Sequence, residues 1–154
     1  MTTTAPARES RLDHVRGAMY AGLALTVLAA LAPLIDIATV DTIGDHVRDA
    51  YPRWPDSTVA TERNAIAGYL AAVWLIGVAG WILTMRAVAG RRRSARRIAV
   101  TMFTLGTLVA LTNLSIPGGE YERIVPPAHG ALGLLPVAVG LAVTVMVLRR
   151  IPSR

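Results

Sequence analysis

The chain has 154 residues, of which 53% are hydrophobic, and it carries 16 basic residues, 10 acidic residues and no cysteine. This length is enough for one compact domain, and the lack of cysteine excludes disulfides, thiolate metal sites and thiol redox chemistry. A net charge of +6 would suggest a nucleic-acid binder in a soluble protein, but the distribution of charge argues otherwise here. Every basic residue is arginine, a bias typical of a GC-rich genome such as that of an actinobacterium.

Four apolar runs dominate the chain, and each is about as long as a bilayer is thick. At a rise of about 1.5 Å per residue, runs of this length cross the roughly 30 Å of hydrocarbon. The runs cover residues 17–37, 65–85, 98–116 and 130–148. They predict an all-α fold, an integral membrane four-helix bundle formed by a single domain over residues 11–154. Residues 1–10 have no apolar periodicity and are predicted to form a disordered tail.

The arginines predict the orientation of the four runs. Twelve of the 16 lie before the first run, between the second and third, or after the fourth. The other two connections hold four arginines and eight acids, counted from Asp36 to Glu122. Because positive residues are retained on the cytoplasmic side, both termini are predicted to be cytoplasmic and the protein to lie in the cell membrane.

The densest group of arginines follows the second run. It consists of Arg91, Arg92, Arg93, Arg96 and Arg97. We interpret it as a topology anchor that contacts anionic lipid head groups, while binding of nucleic acid or of an acidic protein tail is the alternative. Without interleaved aromatic residues the group is a poor reader of bases. The predicted partners are therefore the bilayer, its anionic lipids, and a membrane-protein partner or second copy, with no nucleic acid.

The connection after the first run contains a short amphipathic pattern. Apolar residues recur every four positions at Ile43, Val47 and Tyr51, behind Thr42 and Asp45, which have the spacing of a capping pair. The pattern predicts a short helix on the membrane surface.

Five polar residues are predicted to share one depth near the outer ends of the runs. They are Asp36, Asn64, Tyr69, Asn113 and His129. One interpretation is an outward-facing polar pocket, with a contact between spans one and three and with Trp54 as a further ligand-binding residue. The other is that each residue caps a helix or meets head-group water, and that Trp54 is an interfacial anchor. The sequence leaves both open.

Two functions are compatible with these features. The first is a non-enzymatic accessory or lipid-interacting subunit that needs no cofactor. The second is a compact membrane enzyme using acid and base chemistry on a lipophilic substrate such as an isoprenoid. In that enzyme Asp36, Glu120 or Glu122 would supply the acid. His129 would act as the base, and Asn113 would orient the substrate. The histidines and loop acids lack metal-ligand spacing, so no metal site is predicted.

Overall fold

The structure is a computed structural model that describes residues 5–90 and 94–150. This part of the chain forms six helices. They are α1 (Ala5–Thr39), α2 (Thr42–Ala50), α3 (Asp56–Ala89), α4 (Ala95–Ser115), α5 (Pro127–Leu132) and α6 (Leu134–Arg150). The prediction of an all-α fold is confirmed.

Four helical segments are long and apolar enough to cross a membrane, as the four runs predict. They are Asp13–Thr39, Asp56–Ala89, Ala95–Ser115 and Pro127–Arg149. The first and second belong to helices of 35 and 34 residues, which at about 1.5 Å per residue extend well beyond the roughly 30 Å of hydrocarbon. α1 begins at Ala5, so residues 5–10 of the predicted tail are helical, while residues 1–4 lie outside the described residues.

The four long helical segments form a bundle that contains a separate hydrophobic core at each end. α1 packs most extensively against α3 and also contacts α6, whereas α3 and α4 contact each other more sparsely. We call the end with α2 and residues 116–126 the loop end, and the opposite one the terminal end. The loop end holds a core that includes Ile43, Val47 and Leu70, and the terminal end holds a second core around Met19 and Val143.

α2 forms at the position that the apolar pattern predicts. Ile43 and Val47 are fully buried, so the apolar face of this helix completes the core at the loop end. Tyr51 ends the helix, and its backbone N–H donates to the carbonyl of Val47 at 2.9 Å. The helix begins after Asp41, which has the left-handed conformation (φ 54) and accepts from the backbone N–H of Gly44 at 3.2 Å. An aspartate tolerates this conformation better than most residues and is a strong N-cap.

The fourth apolar run is divided between α5 and α6 at Gly133. Pro136 is the cause, because a proline has no amide hydrogen and its ring crowds the carbonyl four residues earlier, which is that of Leu132. Gly133 also admits the ring of Trp74, since a Cβ atom there would lie 2.5 Å from the Cζ2 atom of that ring. The short α5 is therefore set at the loop end as a separate element.

Candidate functional site

Asp36 caps α2 across the turn that follows α1. Its Oδ1 atom accepts from the hydroxyl of Thr42 at 2.6 Å, and its Oδ2 atom accepts from the backbone N–H of Ile43 at 3.0 Å. The predicted capping pair of Thr42 and Asp45 was therefore wrong. The Thr42 hydroxyl donates to Asp36 instead. Asp45 is exposed and forms an ion pair with Arg48 at 3.5 Å. Both carboxylate oxygens of Asp36 are used to hold the helix.

An aromatic cluster joins α2 to the loop between α4 and α5. The ring of His46 stacks on that of Tyr121 with centroids 5.3 Å apart, and Tyr121 meets Tyr51 edge to face at 5.2 Å. Tyr51 also stacks on Trp54 at 3.8 Å. The Nε2 atom of His46 makes a hydrogen bond of 2.8 Å with the backbone carbonyl of Arg123. Trp54 is thus built into the loop end by stacking on a neighbour.

The two tyrosines of this cluster differ in how their hydroxyls are satisfied. The Tyr51 hydroxyl accepts from the backbone N–H of Glu120 at 3.0 Å, at a turn where Gly119 has a positive φ of 55°. The Tyr121 hydroxyl is buried and has no partner among the described residues. Burial raises the pKa of Tyr121 to about 12, and the charge of Glu62 and the nearby Tyr51 contribute in the same direction.

Asn113 makes a polar contact between α4 and α3. It is 1% exposed, and its Oδ1 atom accepts from the hydroxyl of Tyr69 at 2.9 Å. Its Nδ2 atom is buried and has no partner in the described part of the chain. A buried donor without a partner costs about 1 to 3 kcal/mol, so this amide requires an explanation.

His129 lies in α5, close to the end of α4. The neighbouring Gly130 packs on the backbone of Asn113, since a Cβ atom at Gly130 would lie 3.3 Å from the Asn113 carbonyl oxygen. The imidazole is within electrostatic reach of Asp36, and its Nδ1 atom is buried without a partner within the described ranges. Asp36, Asn113 and His129 therefore gather at the loop end, but Asp36 and Asn113 each bond a different residue.

The remaining residues of the predicted pocket and active site are dispersed. Asn64 is exposed and accepts from its neighbour Arg63 at 3.2 and 3.3 Å. Glu120 is exposed, and Glu122 is exposed and pairs with Arg123 at 3.3 Å. Within the described residues neither glutamate forms a hydrogen bond or an ion pair with His129, which is half-buried.

The structure describes only part of the arginine group that follows the second run. Arg91, Arg92 and Arg93 lie outside the described residues, and Arg96 and Arg97 occupy the first turn of α4. Positive side chains at a helix N-terminus oppose the helix dipole by about 0.3 to 1 kcal/mol each. Their placement is therefore not explained by the stability of α4.

A cavity of about 220 Å³ lies between α3, α4 and α6, at the level of the middle of the bundle. Its wall is almost entirely apolar. The lining residues are Thr26, Val73, Trp74, Ile76, Gly77, Gly80, Trp81, Thr84, Ala99, Met102, Phe103, Leu105, Gly106, Val109, Pro136, Val137, Gly140, Val143 and Thr144. Trp74 and Thr84 are ten residues apart on α3, which corresponds to about 15 Å along the helix axis, so the cavity is elongated.

Small residues and one fixed tryptophan create this space. Gly106 leaves open space in the wall, since a Cβ atom there would meet nothing within 4 Å, whereas Gly77 and Gly80 let α3 pack closely on Thr26 and Met102, which would lie 3.0 and 3.1 Å from an added Cβ atom. The indole Nε1–H of Trp81 donates to the hydroxyl of Thr26 at 2.9 Å, which holds the ring against α1. The cavity was not predicted from the sequence. Its signal there was glycine within the second, third and fourth runs, and glycine also accompanies ordinary helix packing in membranes.

The chain matches no protein-family model, no curated protein and no solved structure.

Proposed function

We propose that the protein is a lipid-interacting integral membrane protein that binds a lipophilic molecule in the cavity between α3, α4 and α6. The cavity is the observation that carries the proposal. An apolar cavity of about 150 Å³ stays dry and binds a molecule such as benzene. At about 220 Å³, this cavity accommodates a ring or a short segment of hydrocarbon chain.

The exposure of the lining residues supports entry from the bilayer. Ile76 on α3 is 73% exposed and Leu105 on α4 is 50% exposed, although both line the cavity. The cavity therefore reaches the surface where α3 and α4 contact each other sparsely, and that surface would face lipid. A hydrocarbon chain that entered sideways would bury its surface against these helices without crossing a polar layer.

The contacts of the acidic residues favour binding over acid and base chemistry. Both oxygens of Asp36 accept hydrogen bonds within the cap of α2, and Glu120 and Glu122 are exposed. Within the described ranges no charged side chain lines the cavity. A compact enzyme would need a proton donor and acceptor at the bound molecule.

We propose the cell membrane as the location, with the loop end outside and both termini in the cytoplasm. The arginine distribution supports this orientation, because twelve of the 16 lie before the first run, between the second and third, or after the fourth. The cost of Arg96 and Arg97 at the start of α4 is offset if anionic lipid head groups lie there.

Quenching of tryptophan emission tests the cavity directly. Trp74 and Trp81 line it and Trp54 does not, so a Trp54→Phe protein reports from the cavity alone. The protein is reconstituted in bilayers and titrated with a terminally brominated alkane. Saturable quenching is expected. Quenching that rises only in proportion to the bromine content of the bilayer would contradict the proposal.

Two leucine substitutions provide a matched pair for the same titration. A Cβ atom at Gly106 or at Gly68 would meet nothing within 4 Å, so an added side chain starts in open space at both positions. Gly106 lines the cavity and Gly68 does not. Gly106→Leu should abolish the saturable component, and Gly68→Leu should leave it unchanged. Equal effects of the two would contradict binding in this cavity.

Single cysteines test the orientation. Ser94 lies at the terminal end and Ser57 at the loop end, and both are exposed. A membrane-impermeant thiol reagent should label Ser57→Cys and not Ser94→Cys in intact cells, and both after lysis. Labelling of Ser94→Cys alone in intact cells would invert the orientation.

A further inference from the structure

We infer that the molecule bound in the cavity carries a neutral oxygen atom at one end, and that the side-chain amide of Asn113 donates a hydrogen bond to that oxygen. The inference rests on the proposed binding of a lipophilic molecule and adds its chemical class. A long-chain alcohol or ketone would fit, and a plain hydrocarbon would leave the amide without a partner.

The helical register places Asn113 directly beyond the cavity. Val109 and Asn113 are four residues apart on α4, and Val73 and Tyr69 are four residues apart on α3. Residues at this spacing lie on one face of a helix. Because Val73 and Val109 line the cavity, the pair of Tyr69 and Asn113 lies about 6 Å farther toward the loop end along the same two faces.

The hydrogen bonds of Asn113 leave one donor without a partner among the described residues, just beyond the cavity, whose lining residues do not include Asn113. Its Oδ1 atom is occupied by the Tyr69 hydroxyl, which fixes the orientation of the amide. The Nδ2 group is buried without a partner within the described part of the chain, although the residue is 1% exposed. A hydrogen-bond acceptor at the end of a bound chain would satisfy it and recover the cost of its burial.

The surroundings favour a neutral acceptor that arrives from the lipid side. Asn113 and Tyr69 offer neutral groups, and a buried ion would need a compensating charge. Tyr69 is 47% exposed, so the contact between α3 and α4 is accessible at the surface that would face lipid. The Tyr69 oxygen can also accept, which would complement the hydroxyl of an alcohol.

Three brominated probes of equal chain length test the inference in the Trp54→Phe protein. They are an alkane, a primary alcohol and a methyl ketone, the latter two with bromine at the end remote from the oxygen. Affinities are compared as mole fractions in the bilayer, which removes differences in partitioning. One hydrogen bond corresponds to about fivefold, so the alcohol and the ketone should each bind about fivefold more tightly than the alkane.

Asn113→Leu should bring all three probes to the affinity of the alkane. Ser115→Ala is the matched control, because Ser115 lies at the same end of α4 and its hydroxyl donates only to the carbonyl of Leu111. It should retain the fivefold preference. If Asn113→Leu does not fold, Tyr69→Phe serves instead. It removes a hydroxyl from an exposed ring, frees the amide to rotate and should weaken the preference.

The outcomes separate this inference from the proposed function. Equal saturable binding of all three probes would leave the cavity as a hydrocarbon site and overturn the role of Asn113, whose amide would then bond water. A preference that survives in Asn113→Leu would also overturn it, as would a gain by the alcohol without a gain by the ketone. If none of the three probes shows saturable binding, the proposed function itself fails.

Discussion

Removing the same atom from two neighbouring tyrosines should change stability in opposite directions. Tyr121→Phe deletes a buried hydroxyl that has no partner among the described residues. Since such a group costs about 1 to 3 kcal/mol, the substitution should raise the free energy of unfolding by about 1 kcal/mol at neutral pH. Tyr51→Phe deletes the acceptor of the Glu120 N–H and should lower that free energy by about 0.5 to 1.5 kcal/mol.

Ionisation of Tyr121 should also make the stability of the protein depend on pH in the alkaline range. Tyr121 ionises near pH 10 in the unfolded chain and at about 12 in the folded one. Between these values the unfolded state has lost its proton and the folded state has not, so stability falls as the pH rises. The loss is at most about 3 kcal/mol, because the folded protein holds this proton to a higher pH than the unfolded chain does. Tyr121→Phe should lack this part of the alkaline destabilisation.

The measurement is the unfolding midpoint in mild detergent, for wild type, both single variants and the double variant, at neutral pH and at intervals up to pH 12. The rings of the two tyrosines are 5.2 Å apart, so some coupling is expected in the double variant. A lower midpoint for Tyr121→Phe at neutral pH would refute the reasoning, because it would mean that the hydroxyl is satisfied. An unchanged alkaline slope would refute the second part.

Two further substitutions test the packing around the cavity by thermal midpoint. Gly133→Ala would place a Cβ atom 2.5 Å from the Cζ2 atom of Trp74 and should destabilise by about 1 to 3 kcal/mol, whereas Gly68→Ala, with open space around it, should be neutral or slightly stabilising. Trp81→Phe removes the bond to the Thr26 hydroxyl and should cost about 1 kcal/mol or more, and a loss below measurement error would show that this bond does not position the ring.

The elements that depend on local pattern were predictable from the sequence. Apolar runs of bilayer length determine four long helical segments, whatever they pack against. The position of α2 was also predictable from the spacing of Ile43 and Val47, whereas its packing against the core was not, because the pattern predicts a helix on the membrane surface. The break at Gly133 was not located, because Pro136 alone predicts a kink. Its position follows from the carbonyl of Leu132 and from the Trp74 ring.

The partners of the polar residues depend on tertiary structure, which one sequence does not specify. Counting residues along the apolar runs predicts that Asp36, Asn113 and His129 lie at one depth, and in the structure all three lie at the loop end. Depth did not reveal that α2 folds back onto Asp36, or that Tyr69 faces Asn113. When a helix is apolar on most of its faces, its sequence does not show which face packs against a neighbouring helix. The cavity was not predicted for the same reason.

The substitution Asp36→Asn tests whether this residue is structural or catalytic. Asparagine can keep the hydrogen bonds that cap α2, but it cannot act as a general acid. Asparagine has the same shape, so its Oδ1 atom can still accept from the N–H of Ile43, and the Thr42 hydroxyl can turn to accept from its Nδ2 atom. Asp36→Asn should therefore cost less than about 1 kcal/mol. Asp36→Ala leaves the N–H of a residue that is 0% exposed without an acceptor, and should cost about 1 to 3 kcal/mol and speed hydrogen exchange in α2. If Asp36 served as a general acid, asparagine and alanine would impair function equally while differing in stability. Equal loss of cellular function in both variants, with α2 still protected in Asp36→Asn, would therefore argue for the enzyme and against binding alone.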